Sequence, residues 1–221
     1  MAKAKSTQAA ALPTLDPRHM TITRLPAGTT LHRIHQAIYD ATQFNPSPEG
    51  NTRFSPITTP SGTQIPTLYA GASFDCAAME TIFHDVPYAS GLKTMEKAKL
   101  KEQVHSELKT TAELALVDLR STALRKLGVE RKAIIDTEKD QYPHTRSVAA
   151  QIHSQRADAQ GLLWTSRQDD SAKAMVLFGD RIADGILEKV GVSRDLIKTS
   201  ATYEDVLRLA DRIGVDIVPS I

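Results

Sequence analysis

The chain has 221 residues, of which 41 % are apolar, and a formal net charge of +1. This length suffices for one sizeable domain or two small ones. The near-neutral net charge argues against general electrostatic binding to nucleic acid or anionic lipid, although it allows a local basic pocket. A single cysteine, Cys76, excludes an internal disulfide and favours a reducing, cytoplasmic location. No window reaches about 18 unbroken apolar residues, so no membrane span is predicted.

The first third of the chain is predicted to be extended and rich in loops. Residues 1–19 carry lysines but no hydrophobic signal-peptide core, and we expect a flexible tail. Residues 20–36 are predicted as extended segments on either side of a turn at Pro26-Ala27-Gly28. Residues 39–62 contain four prolines and two glycines, which exclude a regular element. A long ordered loop in a compact domain often carries functional residues. The alternative is a surface loop without a function of its own.

The remaining elements follow from apolar spacing and capping residues. Strands are predicted at 67–71, 114–119, 161–166 and 174–180, helices at 75–84, 122–128, 143–155, 193–198 and 202–214, and either state at 92–109. This interleaving predicts an α+β domain with an accessory C-terminal helical segment. The apolar stripe of the last helix is expected to pack on the domain, with partner binding as the less favoured alternative.

Histidines and Cys76 form no recognised catalytic or metal-binding motif. His32 and His35 are three residues apart in an extended segment, without a cysteine or carboxylate cluster at a zinc spacing. His144 and His153 are too far apart for a helical zinc pair. Cys76 lies in an apolar run, which is typical of a packing residue. There is no phosphate-binding glycine-rich loop and no G-x-S-x-G, so a bound nucleotide would have to be held by side chains.

Five polar residues are unusual for their surroundings. Glu80 lies within an otherwise apolar helical run, and Arg33 within an extended apolar-rich stretch. Tyr69 belongs to a predicted strand, Arg53 to the long loop, and Ser166 ends a strand. A purely structural interpretation gives each an ordinary role, such as an Arg33–Glu80 ion pair, a core position for Tyr69 and a strand-end cap for Ser166.

In their order along the chain, these residues and their neighbours resemble the RES-domain family. The matching segments cover about residues 30–182 and are LHRIH, FNPSPEGNTRFSP, LYAGASFDCAAMETIFHD, ALVDL and GLLWTSRQDDSAKAMVLFGDR. The family is named for an arginine, a glutamate and a serine, which here would be Arg33, Glu80 and Ser166. The sequence departs from the family at Ile34, in a long insert near 92–112 and in an extension past the family core at 183–221.

The resemblance implies a fold and a function. The fold would be ADP-ribosyltransferase-like, with a mixed β-sheet core and flanking helices. The chain would divide into a tail (1–19), a RES domain (20–182) and a C-terminal helical extension (183–221). Family members are toxins of bacterial toxin–antitoxin pairs that consume NAD, and their partner is usually a small antitoxin with a helix-turn-helix DNA-binding part.

The implied chemistry assigns a role to each of the five residues. Cleavage of the nicotinamide–ribose bond builds positive charge on the ribose, which the Glu80 carboxylate would stabilise. Arg33 and Arg53 would bind phosphate oxygens, and Tyr69 would offer a flat face to the nicotinamide. Ser166 would hydrogen-bond the nicotinamide ribose or the carboxamide. Glu80, Arg33 and Ser166 form the implied catalytic set, with NAD as a substrate rather than a cofactor and with no metal.

The acceptor of the ADP-ribosyl group defines the alternatives. Transfer to water or phosphate is favoured, because depletion of NAD needs no surface for recognising another protein. Transfer to a protein side chain would make the chain an ADP-ribosyltransferase instead. A second alternative is a non-catalytic binding module on the same scaffold. No direct nucleic-acid or membrane partner is expected, and a homo-oligomer is left open.

Overall fold

The computed structural model describes residues 14–219. Of the predicted tail, residues 1–13 lie outside the described residues. Its last part packs on the domain, because Leu15 is buried in the core and Pro17–His19 forms a 3-10 turn. Asp16 caps this turn by accepting a hydrogen bond from the backbone N–H of Arg18 at 2.9 Å. For residues 14–19, therefore, the expectation of a flexible tail is wrong.

The described chain contains the following strands and helices. The strands are β1 (Ile22–Leu25), β2 (Thr30–Gln36), β3 (Ile57–Thr58), β4 (Gln64–Ile65), β5 (Thr67–Gly71), β6 (Lys93–Glu96), β7 (Gln103–Thr110), β8 (Leu114–Asp118), β9 (Gly161–Thr165), β10 (Lys173–Phe178), β11 (Leu187–Asp195) and β12 (Val215–Val218). The helices are α1 (Phe74–Met79), α2 (Ser121–Leu127), α3 (Arg131–Ile134), α4 (Tyr142–Gln155) and α5 (Ser200–Arg212). No helix within residues 14–219 is long and apolar enough to cross a membrane.

The main sheet has eight strands in the order β1-β8-β9-β10-β5-β2-β7-β11. Neighbouring strands are antiparallel except β8 and β9, which are parallel, so the sheet is mixed. Strands β12 and β6 form a separate parallel pair, and β3 and β4 form a short antiparallel pair. A mixed sheet with flanking helices confirms the predicted α+β class.

The central strands are apolar throughout because both faces of the sheet are covered. In β8, Leu116 packs into the cluster on one face and Val117 into the cluster on the other, and both are fully buried. Trp164 of β9 is also buried, with its ring against that of Phe54 from the long loop. Each such large side chain contributes about 1.5–3 kcal/mol on burial, so the core fixes the strands that carry the site.

The C-terminal part differs from the prediction. Residues 193–198 were expected to form a helix, but Ser193–Asp195 complete β11, which pairs with β7 along the edge of the main sheet. The register shifts between Val190 and Arg194, and Gly191 adopts a positive φ of 66° there. This irregularity interrupts the alternation of buried and exposed residues by which a strand is recognised in a sequence. Within residues 183–219, α5 is the only α-helix and forms the predicted accessory helical segment, while β11 and β12 add strands to this part of the chain.

Strands β2 and β5 diverge after a single pair, His32 with Gly71. Helix α1 begins directly after β5, and Ser73 caps it by accepting a hydrogen bond from the N–H of Cys76 at 3.1 Å. A Cβ on Gly71 would lie 2.8 Å from the backbone nitrogen of Ala77. Glycine is therefore needed for α1 to pack this close to the point of divergence.

Candidate active site

The divergence of β2 and β5 coincides with a cavity of about 320 Å³. Arg33 and Ile34 of β2 line one side, and Tyr69 and Ala70 of β5 line the other. Glu80, the first residue after α1, also lines the cavity. The gap between two neighbouring strands thus places side chains that are far apart in sequence around one space.

Four of the five predicted site residues line this cavity: Arg33, Arg53, Tyr69 and Glu80. The fifth, Ser166, is fully buried and does not line it. The Ser166 hydroxyl donates a hydrogen bond to Oε1 of Glu80 at 2.6 Å. It also accepts hydrogen bonds from the backbone N–H groups of Gln168 and Asp169, at 3.0 and 2.9 Å.

These contacts suit Ser166 for holding Glu80 in place. Its single proton is committed to the carboxylate, and its oxygen already accepts two N–H groups. A hydroxyl has one donor and two lone pairs, so no capacity is left for a substrate. The expected direct contact between Ser166 and a ribose or carboxamide stays a prediction, and the geometry favours a positioning role for this residue.

The Glu80 carboxylate is half-buried and forms no ion pair with any cationic side chain in residues 14–219. The structural interpretation of an Arg33–Glu80 ion pair is therefore wrong. A carboxylate that is held by a neutral hydroxyl and not by a cation has acceptor capacity left for a ligand.

The Arg53 guanidinium is buried without protein hydrogen-bond partners. The residue is 4 % exposed, and none of its three guanidinium nitrogens has a partner among the described residues. One face of the group lies over the Tyr142 ring, with Cζ 5.5 Å from the ring centroid. An arginine without partners is unusual in a protein interior, because a buried charge is costly unless it is paired. The feature indicates a site for an anion.

Tyr69 holds the loop that carries Arg53. Its hydroxyl accepts a hydrogen bond from the backbone N–H of Phe54 at 2.9 Å and lies 3.0 Å from the Thr52 hydroxyl. Burial raises the pKa of the Tyr69 phenol, so the hydroxyl stays protonated near neutral pH. The residue thus lines the cavity and fixes the Arg53 loop at the same time.

Arg33 is anchored by the loop after β2. Its NH1 group donates hydrogen bonds to the carbonyl oxygens of Ala41 at 2.6 Å and Gln43 at 2.8 Å. Burial lowers the pKa of Arg33 to about 10, so the side chain remains charged at neutral pH. Its Nε and NH2 groups make no hydrogen bond within residues 14–219. Only that side of the fork is free for a phosphate.

Sequence reasoning missed a second polar group on the cavity wall. The imidazole of His84 lies between Asp85 and Tyr142, with Nδ1 2.8 Å from Oδ1 of Asp85 and Nε2 3.0 Å from the Tyr142 hydroxyl. Lys139 donates a hydrogen bond to the other Asp85 oxygen at 2.7 Å. The only sequence signal was the position of His84, four residues after Glu80. Tyr142 and Lys139 carry no local signal, because their approach depends on how α4 packs.

Cys76 is a packing residue, as the sequence predicted. It is fully buried, and burial raises the pKa of its thiol to about 12. A thiol in this state is a poor nucleophile.

The family model of the RES domain matches residues 30–197. Because the match covers most of the chain, the protein belongs to the RES domain family. The matched range extends past the predicted boundary at residue 182 and includes β11.

Among solved structures, the chain is similar to a chain from the M. tuberculosis MbcT–MbcA toxin–antitoxin complex. The TM-score is 0.58 at 18 % identity, and the alignment covers 85 % of this chain and 92 % of that chain. At this identity the similarity establishes a shared fold. No curated protein matches the chain.

Proposed function

We propose that this protein is the toxin of a bacterial toxin–antitoxin pair and that it cleaves the nicotinamide–ribose bond of NAD. One observation carries the proposal: among the described residues the Glu80 carboxylate has no ion-pair partner and the Arg53 guanidinium has no hydrogen-bond partner, and both residues line the same cavity. A dinucleotide needs both an anion site for its pyrophosphate and a carboxylate at its nicotinamide ribose. Membership of the RES domain family supports the same assignment.

In the reaction, the bond between ribose C1′ and the nicotinamide nitrogen breaks, and its electron pair leaves with neutral nicotinamide. In this scheme the positive charge that develops on the ribose lies close to the Glu80 carboxylate, which is half-buried and therefore only partly screened by water. Water or phosphate then bonds to C1′ and releases its proton to solvent. The products are nicotinamide and either ADP-ribose or its 1-phosphate.

The roles of the other residues follow from their contacts. Ser166 fixes the carboxylate, and Tyr69 fixes the loop that carries Arg53. Arg53 and the free side of Arg33 would bind the phosphates, since a guanidinium pairs with phosphate oxygens through two parallel hydrogen bonds. NAD is the substrate in this scheme.

The proposed partner is a small antitoxin protein. The similar M. tuberculosis chain comes from a toxin–antitoxin complex, which supports a protein partner for this chain as well. An enzyme that depletes NAD would harm its own cell, so a protein that blocks it is expected. A helix-turn-helix part in that partner remains an expectation from the family resemblance.

The test is release of nicotinamide from NAD, followed by chromatography with and without phosphate. Glu80→Gln preserves the side-chain volume and removes the charge, and we expect it to lower the rate about 10²–10³-fold. Glu113→Gln is the matched control, because Glu113 is exposed and does not line the cavity. No release by the unmodified protein would refute the proposal. Radiolabel from the adenylate part of NAD appearing on a protein would establish the transferase alternative.

A further inference from the structure

Four polar side chains form a hydrogen-bonded row across one face of the sheet, and the row ends at the cavity. His32 of β2 is paired with Glu107 of β7, and His105 of β7 is paired with Arg194 of β11. Residues opposite each other or two apart in a strand share a face of the sheet, so these four side chains lie together. Of the four, only His32 lines the cavity.

The two imidazole rings lie side by side and not face to face. Nδ1 of His32 is 3.0 Å from Nε2 of His105, the ring centroids are 5.2 Å apart, and the planes differ by 3°. Rings stacked on each other could not bring two nitrogens this close at that centroid distance. The rings therefore lie nearly in one plane, and the two nitrogens point at each other and share a proton.

This geometry argues against a metal, although the two histidines and Glu107 are ligand types within 4.8 Å of one another. Nδ1 of His32 and both ring nitrogens of His105 already have hydrogen-bond partners. The cationic position beside Glu107 is taken by Arg194, whose NH2 group donates to Oε1 of Glu107 at 2.5 Å.

Arg194 determines which atom donates and which accepts in each hydrogen bond of this row. A guanidinium only donates hydrogen bonds, and NH2 of Arg194 lies 3.0 Å from Nδ1 of His105. His105 must therefore accept at Nδ1 and carry its proton on Nε2. That proton is donated to Nδ1 of His32, which leaves the proton of His32 on its own Nε2. This nitrogen has no hydrogen-bond partner within residues 14–219.

The surroundings keep both rings neutral. Burial lowers the pKa of His105 to about 4 and also lowers the pKa of His32. Arg194 acts in the same direction on both, while Glu107 opposes it. From the other elements, Phe74 of α1 offers only an apolar ring edge to His105, and Asp205 of α5 weakly favours its protonation.

We propose that His32 presents its Nε2–H to the carboxamide oxygen of nicotinamide, as a neutral hydrogen-bond donor whose tautomer is fixed by Arg194 through His105. This inference rests on the proposed function and adds the specificity for the leaving group. The nicotinamide ring of NAD is a cation, so a protonated histidine beside it would repel it. A neutral donor satisfies the carboxamide without that repulsion. Glu80 and Arg53 already match the ribose and the phosphates, and the carboxamide is the remaining polar group at this end of the substrate.

The first test is independent of catalysis. Nitrogen-15 NMR of the full chain at pH 7 should show His32 and His105 neutral and protonated at Nε2. Arg194→Met should remove this preference, and Arg194→Lys should preserve the neutral state better than Met. Addition of nicotinamide should shift the His32 Nε2 resonance more than addition of thionicotinamide, whose sulfur is a weak acceptor. A proton on Nδ1 of His32, a charged His32 at pH 7, or equal shifts from both compounds would overturn the proposal.

The second test uses turnover of NAD and of its thioamide analogue. His32→Leu should lower kcat/KM for NAD about fivefold to tenfold, the value of one neutral hydrogen bond, and should abolish the preference for NAD over the analogue. His19→Leu is the matched control, since His19 is exposed and does not line the cavity. An unchanged preference in His32→Leu would overturn the proposal. If the unmodified protein releases no nicotinamide, the proposed function fails, whereas the NMR result still decides the role of His32.

Discussion

Replacement of Arg53 by methionine should stabilise the ligand-free protein and weaken its binding of NAD. Methionine keeps most of the unbranched stem and removes a charge that has no hydrogen-bond partner within residues 14–219. A buried charge costs several kcal/mol, and a cation–π contact such as that with the Tyr142 ring offsets about 0.5–2 kcal/mol. The difference predicts a gain of about 1–3 kcal/mol in the free energy of unfolding.

Two measurements check this prediction. Thermal unfolding without ligand should show a Tm that is roughly 2–10 °C higher in Arg53→Met than in the parent. Nicotinamide release should show a KM for NAD raised about 10–100-fold, because a charge-assisted hydrogen bond is worth about 1.5–3 kcal/mol.

Arg181→Met is the informative contrast. The NH1 group of Arg181 donates to the carbonyl oxygens of Arg156 at 2.5 Å and Ala159 at 2.7 Å. Its loss leaves the Ala159 carbonyl without a donor among the described residues, whereas the Arg156 carbonyl still accepts the N–H of Ala159 at 3.0 Å. This variant should lose about 2–4 kcal/mol of stability. If Arg53→Met were destabilised in the same way, or if its KM were unchanged, the assignment of Arg53 as an anion site would be refuted.

Three further predictions concern residues around the cavity. Ser166→Ala should lower nicotinamide release about 10–100-fold and stability by about 2–4 kcal/mol, since it releases Glu80 and leaves two backbone N–H groups unpaired. Gly71→Ala should cost about 1–3 kcal/mol, measured by urea unfolding, because its Cβ would be 2.8 Å from the backbone nitrogen of Ala77. Burial lowers the pKa of His105 from 6.5 to about 4. The unfolded chain therefore binds this proton more readily, and stability should fall by about 2–3 kcal/mol as the pH drops through that window.

Controls separate these effects from general damage. Ser171→Ala changes an exposed serine in the same turn as Ser166 and should leave activity intact. Unchanged turnover in Ser166→Ala would show that Glu80 does not need this hydrogen bond. A parent-like urea midpoint in Gly71→Ala would contradict the close approach of α1. For His105, the loss of stability with falling pH should be smaller in His105→Gln, and an identical loss would assign it to other groups.

The sequence predicted those parts of the fold whose signals are local. The strand at 67–71 and the helix at 143–155 depend on apolar spacing and on residues within one turn. Strand β11 was missed because it is an exposed edge strand with a register shift near Gly191, so neither alternation nor burial marks it.

The sequence predicted which residues lie at the candidate site better than it predicted the contacts that these residues make. Glu80 and Arg53 do line one cavity, but the placement of Ser166 behind Glu80 depends on a contact across 86 residues. The bonds of Arg33 to loop carbonyls and the link between His32 and His105 likewise arise only when strands pair. Such contacts leave no periodic trace in the sequence, which is why a resemblance to a family was needed to select the five residues.

The separation of β2 from β5 has a consequence for how the protein can change over evolution. A strand whose neighbour has moved away presents N–H and C=O groups that no other strand uses. Where the two strands line the cavity, at Arg33, Ile34, Tyr69 and Ala70, we expect such main-chain groups at its surface, and every amino acid except proline supplies the same pair. Side chains around the cavity can therefore be exchanged in many combinations, while the main-chain donors and acceptors available to a ligand are preserved.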